Sequence, residues 1–157
     1  MSIKNLCNKK VITIQKDATL NNVSELMLKN HIGSIVVVET INGKQIPAGI
    51  VTDRDIALTV GAISKPGEIR VDQIMQSNPI VIKESDSMYE TIGKMNRHGV
   101  KRLPVISDDG ALCGIISADD ILTLMGDDIS KLTKIRESQL RNEKGIKKSS
   151  ETPYVII

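Results

Sequence analysis

Apolar positions along the chain alternate between a period of two and a helical period, and the whole alternation is written twice. Shifted by 68 positions, residues 3–38 fall on 71–106, with Ile12 on Ile80, Ile14 on Ile82, Met27 on Met95 and Val37 on Val105. Past a loop three residues longer in the first copy the shift becomes 65, which lays Gly49 on Gly114 and Asp55 on Asp120. Self-similarity of this kind marks a tandem of one supersecondary unit. Each copy opens with an apolar lead-in (Ile3 and Leu6; Val71 and Ile74) and a β-prone run at 11–14 or 80–82. A helix follows, with Thr19 or Ser87 at its N-cap and Glu90 completing a capping box in the second copy. Leu20, Val23 and Met27, like Met88, Ile92 and Met95, recur at helical spacing and are assigned to the core. Two strands come next, 34–39 with 46–51 and 102–107 with 112–116, across turns carrying Asn42-Gly43 and Asp108-Asp109-Gly110. A closing helix is predicted at 53–60 and at 118–125.

The unit is thus β-α-β-β-α, and the fold class α/β (α+β). About 60 residues bury too small a fraction of their surface to be comfortable alone, so the two sheets are expected to pack about a pseudo-twofold axis. The division is repeat 1 at 1–62, a linker at 63–70 carrying Lys65-Pro66-Gly67, repeat 2 at 71–126, and a C-terminal helix and tail at 127–157.

The two copies close on Gly49-Ile50-Val51-Thr52-Asp53-Arg54-Asp55 and Gly114-Ile115-Ile116-Ser117-Ala118-Asp119-Asp120. A strand running straight into a helix N-terminus presents unpaired N–H groups and partial positive charge, a natural seat for phosphate. The hydroxyl can bond phosphate, and the carboxylate three residues on can accept from both hydroxyls of a ribose. The same residues are also favoured helix caps with no ligand at all, and the motif alone favours capping.

Composition narrows the classes. A net charge of +2 predicts no general attraction to nucleic acid, and with only Tyr89 and Tyr154 the stacking platforms for single strands are missing. Cys7 and Cys113 lack metal or redox spacing and read as buried thiols; His31 and His98, near glycines at helix ends, read as exposed caps rather than ligands. The longest apolar run, 35–38, is far too short for a membrane, and a cytoplasmic protein is expected. No nucleophile–base–orienter set or metal cluster argues for an enzyme.

Two such units, each closing on Gly-hydrophobic-x-Thr/Ser-x-x-Asp, with Lys101-Arg102-Leu103-Pro104-Val105 ahead of the second hairpin, resemble a CBS-domain pair, or Bateman module, over about residues 3–125. The resemblance implies two clefts between the repeats that take adenosine compounds (AMP, ADP, ATP or S-adenosylmethionine), no required cofactor, regulation of a partner protein, and a disc-like homodimer. It places the hydroxyl and aspartate of one repeat against the first strand and helix-to-strand turn of the other. The first cleft then comprises Thr52, Arg54, Asp55, Ile80, Val81, Lys101, Arg102 and Pro104. The second comprises Ile12, Thr13, Gly33, Ser34, Ser117 and Asp120, with Asp119 in place of Arg54 and no cation in place of Lys101 or Arg102, and is expected to bind more weakly. The expected function is a stand-alone, non-catalytic module sensing an adenine nucleotide, AMP first; a structural interaction module with vacant clefts is the alternative. The dimer is expected to form through the closing helices and apolar lead-ins. Beyond 125, Asp127-Asp128 reads as the cap of a further helix with Ile129, Leu132, Ile135 and Leu140 as a partial apolar stripe. Residues 144–157, basic and then apolar at Tyr154-Val155-Ile156-Ile157, read as a tail docked on its own or a neighbouring subunit by strand addition.

Overall fold

Both predicted helix starts are closed by reciprocal side-chain bonds. The computed structural model describes residues 2–62 and 64–149. Ser87 Oγ accepts from the Glu90 N–H while the Glu90 carboxylate accepts from the Ser87 N–H at 2.7 Å, opening helix α3 (Met88–His98). Thr19 and Asn22 make the same box ahead of α1 (Leu20–Asn30). Such a box satisfies two of the donors that a helix end leaves open. Left-handed residues end both helices, His31 at φ 52° and Gly99 at φ 63°.

Repeat 1 contributes strands β1 (Thr13–Gln15), β2 (Ser34–Ile41) and β3 (Lys44–Thr52) and the helix α2 (Asp53–Ala62). Repeat 2 contributes β4 (Gln76–Ser77), β5 (Ile82–Lys83), β6 (Arg102–Ile106) and β7 (Leu112–Ser117), and then α4 (Ala118–Ser149). The sheets run β1-β2-β3-β4 and β5-β6-β7, with the first pair of each parallel and the rest antiparallel. Even the register break is duplicated, at Val37/Val38 and Val105/Ile106.

The lead-ins are exchanged between the repeats. Ile3 donates to Asp86 O and Lys4 to Glu84 O; the equivalent Val71 donates to Ala18 O and Asp72 to Lys16 O. Asn8 pairs with Ile115, and its counterpart Gln76 pairs with Ile50. Reciprocal docking of matched residues is what a pseudo-twofold axis between the repeats requires. Val71 therefore sits in the repeat 1 core with Val23, Met27, Ile35, Val37 and Val51, although it lies in the second half of the chain. Ile3 is likewise fully buried. The glycines opening the closing motifs are explained by this exchange rather than by a ligand. A Cβ on Gly49 would lie 2.4 Å from Met75 Sδ and 3.0 Å from Gln76 O, and one on Gly114 would lie 2.6 Å from Cys7 Sγ. The hairpin turns of the two repeats are tied by Lys44 Nζ to Asp109 Oδ2 at 2.6 Å.

Several expectations are corrected. The first strand of each repeat is shorter than its apolar run, because ladder pairing reaches only Thr13–Gln15 and Ile82–Lys83; Ile12, Ile80 and Val81 stand outside the strands. Of the lead-in residues, Ile3 and Val71 are buried inside the chain, whereas Leu6 and Ile74 are half-buried. Cys7 and Cys113 are free and half-buried rather than buried, and partial desolvation raises both thiols above their ordinary range. Asp127-Asp128 caps no new helix: α4 runs through them, since Gly126 costs only about 1 kcal/mol in a helix and no proline intervenes. Residues 144–149 continue that helix instead of beginning a tail, and the strand addition expected of 154–157 lies outside the described residues. By compactness the chain divides after Ala118, with the rest of α4 in a second unit.

Candidate functional site

The β3–α2 junction is built by the backbone. Strand β3 ends at Thr52 and α2 begins at once with Asp53, so the hydroxyl and the carboxylate of Asp55 meet at a helix N-terminus. Thr52 donates to Asp55 Oδ2 from both its N–H (2.8 Å) and its Oγ1 (2.7 Å), and Asp55 N–H returns to Thr52 Oγ1 at 3.3 Å. Both side chains are half-buried, whereas Arg54 is exposed. The arrangement is a capping box made by the motif itself. It can exchange partners: a ligand hydroxyl that takes Asp55 frees the Thr52 hydroxyl beside the open N–H groups of the first turn.

The neighbouring helix-to-strand turns differ in a compensating way. In repeat 1 Asp53 N–H donates to Gly33 O at 3.1 Å, and a Cβ on Gly33 would lie 2.9 Å from the Asp53 carboxylate. In repeat 2 the matching bond runs from Ala118 N–H to Lys101 O at 2.8 Å. Repeat 2 thus has alanine where repeat 1 has Asp53 and an exposed lysine where repeat 1 has Gly33. Ser34 is buried in register with Thr52; Arg102, half-buried, is in register with Ser117, and buried Pro104 with Ile115. Backbone register thus ties each turn to the closing motif of its own repeat. Thr13 pairs with Val36 and accepts from Gln45 Nε2 at 3.5 Å, Lys101 is exposed, and Asp120 lies in the first turn of α4.

Ile80 and Val81 lead into β5 with backbone outside the ladder. The Val81 carbonyl accepts from Lys94 Nζ at 2.9 Å. Lys94 escaped the sequence reading. Its signal was there, since the shift that aligns the repeats lays it on Leu26, an apolar position turned cationic. Among the described residues no group of three His, Cys, Asp or Glu side chains is arranged to hold a metal ion, and no helix is long and apolar enough to cross a membrane.

The CBS domain family model matches residues 3–61 and 71–127, and the chain belongs to that family. It is 33% identical over 123 residues to an uncharacterised protein of Methanopyrus kandleri, covering 78% of this chain and 61% of that one, so it spans less than two thirds of that relative. It is 32% identical over 112 residues to inosine-5'-monophosphate dehydrogenase of Chlorobaculum tepidum, but covers only 22% of that enzyme. Among solved structures, a CBS domain protein from Pyrobaculum aerophilum complexed with AMP aligns at TM-score 0.68 and 26% identity, over 76% of this chain and 89% of the other. The CBS domain pair of protein MJ0100, solved with 5'-methylthioadenosine and S-adenosyl-L-methionine, aligns at TM-score 0.71 over 82% and 98%; at 23% identity it supports the fold.

Proposed function

We propose that the chain is a regulatory module whose first cleft, closed by Thr52 and Asp55, takes an adenine nucleotide, AMP first, and passes its occupancy to a partner protein. The observation that carries this reading is the exchangeable Thr52–Asp55 box at the N-terminus of α2. Likeness to the AMP-complexed Pyrobaculum protein supports the ligand class. In this reading Asp55 holds the ribose, while Thr52 and the first-turn N–H groups receive phosphate. Arg54, Lys101 and Arg102 reach the same phosphate across the repeats, and Ile80, Val81 and Pro104 line the base. Breaking the Thr52–Asp55 bonds on binding loosens the cap of α2, which gives occupancy a route to the helix surface and so to a partner. A cytoplasmic regulator acting as a homodimer fits this role.

One observation favours the alternative, a structural module with vacant clefts: among the described residues no buried side-chain polar atom lacks a protein partner. Titration calorimetry with AMP, ADP, ATP and S-adenosylmethionine separates the two. AMP binding that Arg102→Ala weakens supports the sensor, and silence from all four compounds leaves the structural module.

A further inference from the structure

Lys94 stands where the matched repeat has an apolar side chain. Its counterpart Leu26 packs against the repeat 1 core beside Val23 and Met27. Lys94 is likewise half-buried, on α3, but it ends in an ammonium. Taking a charge partly out of water is costly unless the charge is bonded, so this one needs a partner. Among the described residues it makes no ion pair, and Glu90, one turn earlier, is committed to the Ser87 cap. Its partner is the Val81 carbonyl, which accepts from Nζ at 2.9 Å. An ammonium carries three donors, so N–H groups remain beside the Ile80–Val81 connection for another acceptor.

That connection is where the proposed first cleft takes its base, and the inference rests on that reading. Adenine carries an exocyclic amino group, a donor, where hypoxanthine carries a carbonyl, an acceptor. An amino group bonding to the Val81 carbonyl must displace the ammonium or share the oxygen with it, and sharing brings its hydrogens beside like charge. An exocyclic carbonyl accepts from the ammonium instead. We propose that Lys94 is a specificity-determining residue of the first cleft, which holds back aminopurine nucleotides, admits oxopurine nucleotides, and so narrows the preference for AMP that the Val81 carbonyl alone would give. Specificity is a difference of affinities, and a repulsive element against one candidate sets it as well as an attraction to the other. In the second cleft, which takes Ile12 and Thr13, the matching residue is Leu26, which has no donor to offer.

Calorimetric titration of the full chain with AMP and with inosine monophosphate tests this. Lys94→Met should tighten AMP and weaken inosine monophosphate, so that the ratio of the two affinities rises at least about tenfold, the effect of one bond to a charged group. Lys94→Leu, which copies repeat 1, should do the same, and Lys94→Arg, which keeps a cation, should hold the ratio of the unmodified chain. Asp55→Ala removes a ribose contact common to both nucleotides and should weaken both alike. A ratio unmoved in Lys94→Met and Lys94→Leu chains that melt cooperatively and bind both nucleotides would overturn the role of Lys94 and leave the cleft standing. Failure of the unmodified chain to bind either nucleotide would overturn the cleft, and this inference with it.

Discussion

The two repeats share one scaffold and differ where a ligand could notice. Lead-in docking, capping boxes, hairpin register and even the register break recur at matched positions. Around the helix-to-strand turn they part: Gly33 against Asp53 in one, Lys101 against Ala118 in the other. Each pair is one small and one long residue, with the roles reversed. The lesson is that one backbone bond, with the same donor and acceptor positions, is kept with either pair of side chains, and the acceptor position carries a cation only in repeat 2. Leu26 and Lys94 differ in the same sense, with the cation again in repeat 2.

The largest effects should come from breaking what the repeats have in common. Ile3 is fully buried in the opposite repeat, so Ile3→Ala should destabilise the chain by about 2–4 kcal/mol in urea unfolding, through lost transfer energy and the cavity left behind. Gly49→Ala should cost about 1–3 kcal/mol by overpacking, and more than Gly114→Ala. The new Cβ at Gly49 meets a backbone oxygen at 3.0 Å, whereas the nearest backbone atom at Gly114 is 3.3 Å away. Equal costs at the two glycines would mean that the lead-ins adjust with equal ease.

Next come the differences that a nucleotide would read. Arg102→Ala and Asp55→Ala should each weaken AMP binding by about tenfold to a hundredfold, the loss expected of one charge-assisted contact worth about 1.5–3 kcal/mol. At a hundred times its dissociation constant AMP should stabilise the unmodified chain by about 2.7 kcal/mol, a shift of several degrees, and in both variants this stabilisation should fall to about 0.4–1.4 kcal/mol at the same AMP concentration. Asp55→Ala also removes the partner of Thr52, so without ligand it should lose about 1 kcal/mol where Arg102→Ala loses less. An Arg102→Ala protein that keeps the full AMP response would remove that residue from the cleft.

Much of this architecture was legible because it rests on side-chain type. Thr19 and Ser87 as caps and the helical spacing through Met27 and Met95 fixed α1 and α3, and the turn residues fixed both hairpins. The exchange was not legible, because it is made of backbone hydrogen bonds from Ile3, Lys4, Val71 and Asp72, whose side chains would suit either repeat. Gly49 and Gly114, inside β3 and β7, were its trace, since each leaves room for the lead-in of the other repeat. The length of α4 was missed because an aspartate pair resembles a cap whether or not the helix has already begun. At the site, the three-residue spacing of Thr52 and Asp55 announced their contact. Lys94 bonds to a carbonyl thirteen positions back, which no local pattern encodes.

The compensating turns can be tested directly. Gly33→Ala should destabilise by about 1 kcal/mol, because its methyl group would press on the Asp53 carboxylate. In an Asp53→Ala background, which copies repeat 2, the same change should cost less than half as much, and the difference measures the coupling. An additive cycle would show that the collision is relieved by a small side-chain rotation and that Gly33 answers to something else.

The smallest effect is expected where the hairpin turns of the two repeats touch. Asp109 accepts from Lys44, from Ser107 Oγ and from the Ala111 N–H, and these bonds hold its carboxyl well below the usual carboxylate range. A folded-state pKa below the unfolded one adds stability that is fully present above about pH 4 and fades as pH falls further and the carboxylate takes up its proton. Asp109→Asn should therefore lower the melting temperature slightly at pH 7 and by less near pH 2. Glu90, lowered by its bonds to Ser87, titrates in the same direction, so the comparison must be made against the unmodified chain at each pH rather than from one acid curve. Both Lys44 and Asp109 are half exposed, and raising the salt to 1 M should shrink the pH 7 difference, since the screening length there is only about 3 Å. If Lys44→Ala and Asp109→Asn shift the melting temperature additively at pH 7, the contact between the repeats contributes nothing. Their association then rests on other contacts, the exchanged lead-ins among them.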